Sequence, residues 1–276
     1  MRIRIRHRTT YRYDQPAKST IQHLRLTPRN YDGQHVSNWR IDVDRDCRLR
    51  PAEDAYGNVL HRLTAEEAHE SISTLVEGEV TTFDTAGVAS GGVERFPTLF
   101  YLRESPLTAA DKDIRDSVCS GPGMRHTLLD RLHGWMESLH ECMTFDTDAT
   151  HAATTAPAAF AMRKGVCQDF AHIFIAGARL LGAPARYVSG YYLRSDTTNQ
   201  LAGHAWAEAF VEDLGWVGFD PAHRQCPDER YVRLAIAPDY TGAAPIRGAR
   251  LGGGREGLDV EISVSAAESR VSQSNQ

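Results

Sequence analysis

The chain has 276 residues, 41% of them hydrophobic and 24% charged, with a net charge of -5. That length allows one large or two modest domains with a core that needs no disulfides, and the mild negative balance excludes a dedicated nucleic-acid binder, which needs clustered Lys and Arg. No run approaches ~18 apolar residues and no signal-peptide core opens the chain, so no membrane association and a cytoplasmic location are expected. The five cysteines are Cys47, Cys119, Cys142, Cys167 and Cys226, an odd number without a CxxC pair. This argues against a disulfide framework or a zinc ribbon and for free thiols in a reducing compartment.

Residues 1–88 read as a small all-β domain. Arg2, Arg4, Arg6 and Arg8 alternate with Ile3, Ile5, His7 and Thr9, the pattern of a strand with one wet face. Further strands are expected at Ile21–Leu26, Trp39–Val43, Val59–Leu63 and Ser71–Val80, separated by turn residues such as Pro28, Asp32-Gly33, Pro51 and Gly57-Asn58. Ser90-Gly91-Gly92 and Pro97 mark a linker. A mixed region follows over 98–265. Its first helix spans 108–120, closed by Gly121-Pro122-Gly123. An amphipathic helix over 125–142 carries Leu128, Leu132, Trp135 and Leu139 on one face. A short helix is expected near 158–164, and a longer one begins at Cys167 and ends near Leu181-Gly182. Strands Arg186–Leu193, His204–Glu212 and Trp216–Asp220 come next, the last two joined by the Glu212-Asp213-Leu214-Gly215 turn as a hairpin. Residues 266–276 form a polar tail.

One group of residues carries chemistry. A thiol is a nucleophile only as its thiolate, and a helix N-terminus favours that anion. Cys167 sits where a helix begins, and Gly165 before it permits close approach. A cysteine nucleophile needs a base, and the base needs a partner that fixes its tautomer. His204 opens one hairpin strand and Asp220 closes the other, so the turn between them brings the two roughly opposite. Each residue taken alone also reads as an ordinary packing or strand-end residue.

Among the neighbours, Trp206 and Trp216 are expected in the core, Glu208 in a structural ion pair, Asp169 as the cap of the Cys167 helix and His172 in packing. Tyr191 and Tyr192 are candidates for the cleft wall. Zinc is the main rival use of Cys, His and Asp, but no HExxH or close Cys/His pair supplies ligands. Asp146-Thr147-Asp148 is too short for a calcium loop. No metal or other cofactor is expected.

Four blocks, Gly165–His172, Ala185–Tyr191, His204–Glu208 and Gly215–Pro221, resemble the transglutaminase-like superfamily core in order and separation. Tyr11-Arg12-Tyr13, Leu24–Arg29 and Asp54–Asn58 resemble the bacterial transglutaminase N-terminal region. The resemblance implies an α+β, papain-like fold: a helix bearing the nucleophile packed on an antiparallel sheet, behind a small all-β domain. It also implies catalytic roles for Cys167, His204 and Asp220 in acyl transfer through a thioester, with a peptide or protein as substrate. A cysteine peptidase or amidase is the favoured activity. The alternatives are a protein-glutamine gamma-glutamyltransferase and a non-catalytic binding module of the same fold. The second oxyanion donor and the oligomeric state stay open.

Overall fold

The structure, a computed structural model, describes residues 1–120 and 127–267. The expected Gly121-Pro122-Gly123 helix stop and most of the polar tail lie outside them. Strands β1 (Arg2–Thr27), β2 (Gln34–Val43), β3 (Arg48–Glu53), β4 (Val59–Ala65), β5 (His69–Thr82) and β6 (Val88–Ala89) come first. A 3₁₀ turn at Thr98–Leu102 leads to α1 (Lys112–Ser120), α2 (Leu128–Cys142), β7 (Thr144–Phe145), α3 (Ala156–Met162) and β8 (Lys164–Gly165). Then follow α4 (Cys167–Leu180), β9 (Ala185–Tyr192), β10 (Asn199–Gln200), β11 (His204–Val211), β12 (Gly215–Phe219) and β13 (Tyr231–Ala237). The series ends with α5 (Tyr240–Ala243), β14 (Ile246–Gly252) and β15 (Glu256–Ala266). Among the described residues, no helix is long and apolar enough to cross a membrane.

Strand β1 differs from its sequence reading. Arg2–Tyr13 and Ile21–Leu26 form one strand of 26 residues, not two. Its pairing with β5 shifts register between Arg12 and Ala17, and its pairing with β14 shifts between Ala17 and Ser19. The Asp14-Gln15-Pro16 segment is a bulged bend across which the strand changes partners. Strand β3 went unseen because it contains Pro51. Among the described residues it pairs only with β4 at the sheet edge, where a missing N–H costs no ladder bond.

The end of the chain returns to the first sheet. Strand β15 lies along β1 from Tyr13↔Glu256 to Ile3↔Ala266, and β14 pairs with β1 from Leu24↔Ile246 to Ala17↔Gly252. All of β14 and all but the last residue of β15 fall inside the span 98–265 expected for the core, yet they belong to the N-terminal sheet. Hydrophobic alternation identifies a strand but not its partner.

The second sheet has the order β13-β9-β11-β12-β6, with β11 at its centre. Ala205, Ala207 and Ala209 join the core that includes Ile173, Phe174 and Ile175 of α4. Their small side chains let α4 lie close against β11. Helix α4 is buried nearly all round, as a central helix must be. Gly177 is where Trp135 of α2 presses on it: a Cβ there would stand 2.2 Å from the indole Nε1, which donates to Phe174 O at 3.2 Å.

Paired hydrogen bonds stitch the two sheets together. Asn58 donates to Ile236 O and accepts from Ile236 N, both at 2.8 Å. Asp54 holds the Asn58 loop, accepting from Tyr56 N, Asn58 N, Asn58 Nδ2 and Arg25 Nε at 2.7–3.0 Å. Gly57 supplies the φ of +85° that the turn requires. Gln34 repeats the device on Arg233, at 2.9 Å to its O and 2.8 Å from its N. The Asp54-Ala55-Tyr56-Gly57-Asn58 segment is thus a docking loop that seats the first sheet on β13.

Candidate active site

Helix α4 presents Cys167 as its first residue. Val166 before it is extended, and its N–H donates to Asp169 Oδ2 at 2.8 Å. Thr150 Oγ1 donates to the same oxygen at 2.6 Å. Asp169 is therefore the cap expected from its position. A Cβ on Gly165 would lie 2.6–2.9 Å from the Asp169 side chain, so the capping geometry requires glycine there. The first-turn N–H groups of an α-helix have no intrahelical acceptor, and those of Cys167 and Gln168 belong to that first turn.

His204 is the first residue of β11, and Asp220 follows the last residue of β12. The β11–β12 ladder runs from Val211↔Gly215 to Ala207↔Phe219, so Asp220 leaves it one step further on. Its carboxylate reaches His204 Nε2 at 2.7 Å. Asp220 is fully buried and His204 nearly so. Burial alone would raise the Asp220 pKa, but His204 and His223 hold it well below the usual carboxylate range. Burial likewise opposes charge on His204; the Asp220 charge overcomes it, and with a further contribution from the Cys167 side chain the imidazole is pushed up to about 10. An ionised Asp220 can only accept, so His204 donates from Nε2. Its Nδ1 is left for the thiol.

Two residues that the sequence reading did not weigh complete the group. His223 Nδ1 and Tyr231 Oη each lie 2.8 Å from Asp220 Oδ2. The other oxygen, Oδ1, accepts the N–H groups of Ala222 and His223 at 3.1 and 3.3 Å. Gln225 Nε2 in turn donates to Tyr231 Oη at 2.6 Å. The only trace of this in the sequence is a histidine three residues beyond Asp220. Ligand-type atoms of His204, Asp220 and His223 lie within 4.8 Å of one another, as metal ligands do. Both imidazoles are hydrogen-bonded to Asp220 Oδ2.

The thiol and imidazole open into a cleft of about 480 Å³. Phe145, Thr147 and Arg194 line it, as do Tyr192 and His223, whose rings lie near that of His204. Residues 199–203 form a further wall, which β10 ties to β15 of the first sheet through Asn199↔Ser263 and Gln200↔Ile262.

Other expected neighbours fall as follows. Trp206 and Trp216 are buried. Glu208 is fully enclosed and accepts from Arg186 Nε at 2.7 Å and Arg233 Nη2 at 3.0 Å, the ion pair anticipated for it. His172 is buried under Tyr187 and accepts from Tyr240 N at 3.1 Å. Tyr192 lines the cleft, whereas Tyr191 points inward and bonds His7 Nδ1 at 2.8 Å.

Residues 3–81 match the bacterial transglutaminase-like N-terminal region, and residues 114–221 match the transglutaminase-like superfamily. The chain carries a transglutaminase-like core behind a bacterial transglutaminase-like N-terminal region, as its sequence blocks imply. It is similar to an uncharacterized protein of Mycobacterium leprae, 27% identical over 96% of this chain and 98% of the relative. It is 32% identical to a protein-glutamine gamma-glutamyltransferase of Pseudomonas aeruginosa over 101 residues, 32% of this chain and 15% of the relative. Among solved structures, a candidate cysteine protease from Cytophaga hutchinsonii superposes with a TM-score of 0.79 at 20% identity, covering 99% of this chain and 92% of that one. This likeness establishes the α+β fold.

Proposed function

We propose that Cys167, His204 and Asp220 form a thiol–imidazole–carboxylate triad that transfers acyl groups from amide bonds of peptides or proteins, as a cysteine peptidase or amidase. The observation that carries the reading is the 2.7 Å His204–Asp220 bond beside a helix-terminal thiol at the floor of an open cleft. The Cys167 thiolate attacks the amide carbonyl carbon, and the carbonyl π electrons move to oxygen. The N–H of Cys167 is one donor for that oxyanion. As the intermediate collapses, the C–N bond breaks and His204 gives its Nδ1 proton to the leaving amine. A thioester on Cys167 remains. Water, activated by the now neutral His204, attacks it and releases the acid and the thiol. Asp220 fixes the His204 ring and balances its charge throughout.

A second reading replaces water with an amine, which is gamma-glutamyl transfer. The similarity to the Pseudomonas aeruginosa gamma-glutamyltransferase favours it. One experiment separates the readings. Wild type and Cys167→Ala are each incubated with a diverse peptide library and a labelled primary amine, and products are read by mass spectrometry. Cleavage or deamidation in wild type alone supports hydrolysis, and label incorporation that outpaces both supports transfer. Identical product sets from the two proteins would sink the triad assignment.

A further inference from the structure

Asp220 Oδ2 serves three donors at once. His204 Nε2, His223 Nδ1 and Tyr231 Oη stand at 2.7, 2.8 and 2.8 Å, while two backbone N–H groups occupy Oδ1. A carboxylate offers about four lone-pair sites, so five donors saturate it. Orienting one imidazole needs only one of these bonds. The His223 side chain is 36% exposed at the cleft wall, so it is not there to fill the core. Its ring lies 5.0 Å from that of His204 and 4.7 Å from that of Tyr192. Arg230 stacks over Tyr192 at 5.4 Å and is itself paired with Asp228. The titratable groups facing His223 are therefore His204, Asp220 and Tyr192, with the Arg230–Asp228 pair beyond.

We propose that His223 and Tyr231 are positioning residues that share the Asp220 carboxylate with His204, so that His204 is held in place yet can still release its proton. The inference rests on the acyl-transfer reading above. Its physical reason is the double duty of the base. His204 must give a proton to the leaving amine and then, as neutral imidazole, take one from the acceptor. A buried carboxylate bonded to a single imidazole would hold that proton too tightly for the second step, because a general base works best with its pKa near the operating pH. Each further donor to Asp220 disperses its charge and weakens its pull on His204. Removing either donor leaves the other, and both backbone N–H groups, to keep the carboxylate in place.

The test uses p-nitrophenyl acetate with the whole protein. Thiolate attack on the acetyl carbon expels p-nitrophenolate as a burst. Water then attacks the thioester, His204 takes the proton, and acetate and the thiol are released in the steady state. In the acyl-enzyme the thiolate is gone, so the rise of the steady-state rate with pH reports the pull of Asp220 on His204. His223→Phe and Tyr231→Phe are each expected to move the midpoint of that rise upward by about one pH unit. At pH 7 the steady-state rate then falls about tenfold, while the burst rate stays within about threefold. His223→Asn, whose side-chain N–H reaches the same oxygen, restores the wild-type midpoint. A residue that merely packs would not shift the midpoint while sparing the burst. The inference is overturned if both Phe variants leave the midpoint in place, or if Asn moves it as far as Phe does. A wild type without a burst defeats the acyl-transfer reading instead. Ring-nitrogen NMR titration of His204 in the same variants still decides the sharing in that case, since it needs no substrate.

Discussion

Glu208 offers a direct test of how the central strand is held. It lies on β11 four residues beyond His204, and its side chain is 2% exposed. Arg186, 1% exposed, donates to it at 2.7 Å and stacks over Trp216 with its guanidinium 3.7 Å from the ring centroid. Arg233 contacts it from β13 at 2.9 Å. Glu94 supplies a second partner for Arg186 at 2.7 Å but is half-exposed. Glu208→Ala leaves two cations facing a buried void with only that outer carboxylate to offset them. Breaking a buried pair by removing one partner costs about 3–5 kcal/mol, a large share of a total stability of about 5–15 kcal/mol. At ~2–4 °C per kcal/mol for a chain of this size, Tm should fall by roughly 6–20 °C. Glu208→Gln, which keeps the shape and one acceptor, should fall between the two. The assay is urea and thermal unfolding followed by circular dichroism, with a double-mutant cycle on Arg186→Met to isolate the pair. Below the new Tm, iodoacetamide should alkylate Cys167 of the folded variant at close to the wild-type rate. A stability loss under about 1 kcal/mol would refute the reasoning. So would an unchanged Tm with lost Cys167 reactivity, which would place Glu208 in the chemistry instead.

Two further outcomes follow from the site. The folded pKa of His204 is raised from 6.5 to about 10, so its stabilising contribution is complete below 6.5 and is lost as pH rises through 10. Asp220 is depressed, so its contribution is complete above about 3.8 and is lost as pH falls. Thermal unfolding of Asp220→Asn against wild type should therefore differ most between about pH 4 and 6.5, with the gap closing toward pH 10. A gap that widens with rising pH would contradict the ion pair. Separately, Gly165→Ala drives a methyl into the Asp169 side chain, so it should loosen the cap on α4, cost roughly 1–3 kcal/mol and slow Cys167 alkylation. An unchanged rate would mean that the thiol does not depend on that cap.

Much of the site was legible because its parts are local. Glycine before a helix start marks Cys167, and a four-residue turn with Asp213 and Gly215 at positive φ makes the hairpin that joins His204 to Asp220. The carboxylate of Asp169, three residues after Val166, caps the helix by a contact that sequence spacing alone implies. These features depend on backbone periodicity and on residues only a few positions apart.

What the sequence could not reveal depends on which segments meet. Nothing in β14 or β15 marks them as partners of β1 rather than of the second sheet. Periodicity tells which face of a strand is apolar, but the partner is chosen by packing summed over the whole molecule. Tyr231 lies eleven positions from Asp220 and opens a different strand; only the curl of the chain through Asp220–Gln225 brings its hydroxyl to the carboxylate. Sequence by itself therefore determined where Cys167, His204 and Asp220 stand, at a helix start and at the open end of one hairpin, because each position is set by a local turn or cap. The number of donors that share the acid, and hence how tightly His204 keeps its proton, was decided only when the tertiary fold closed around Asp220.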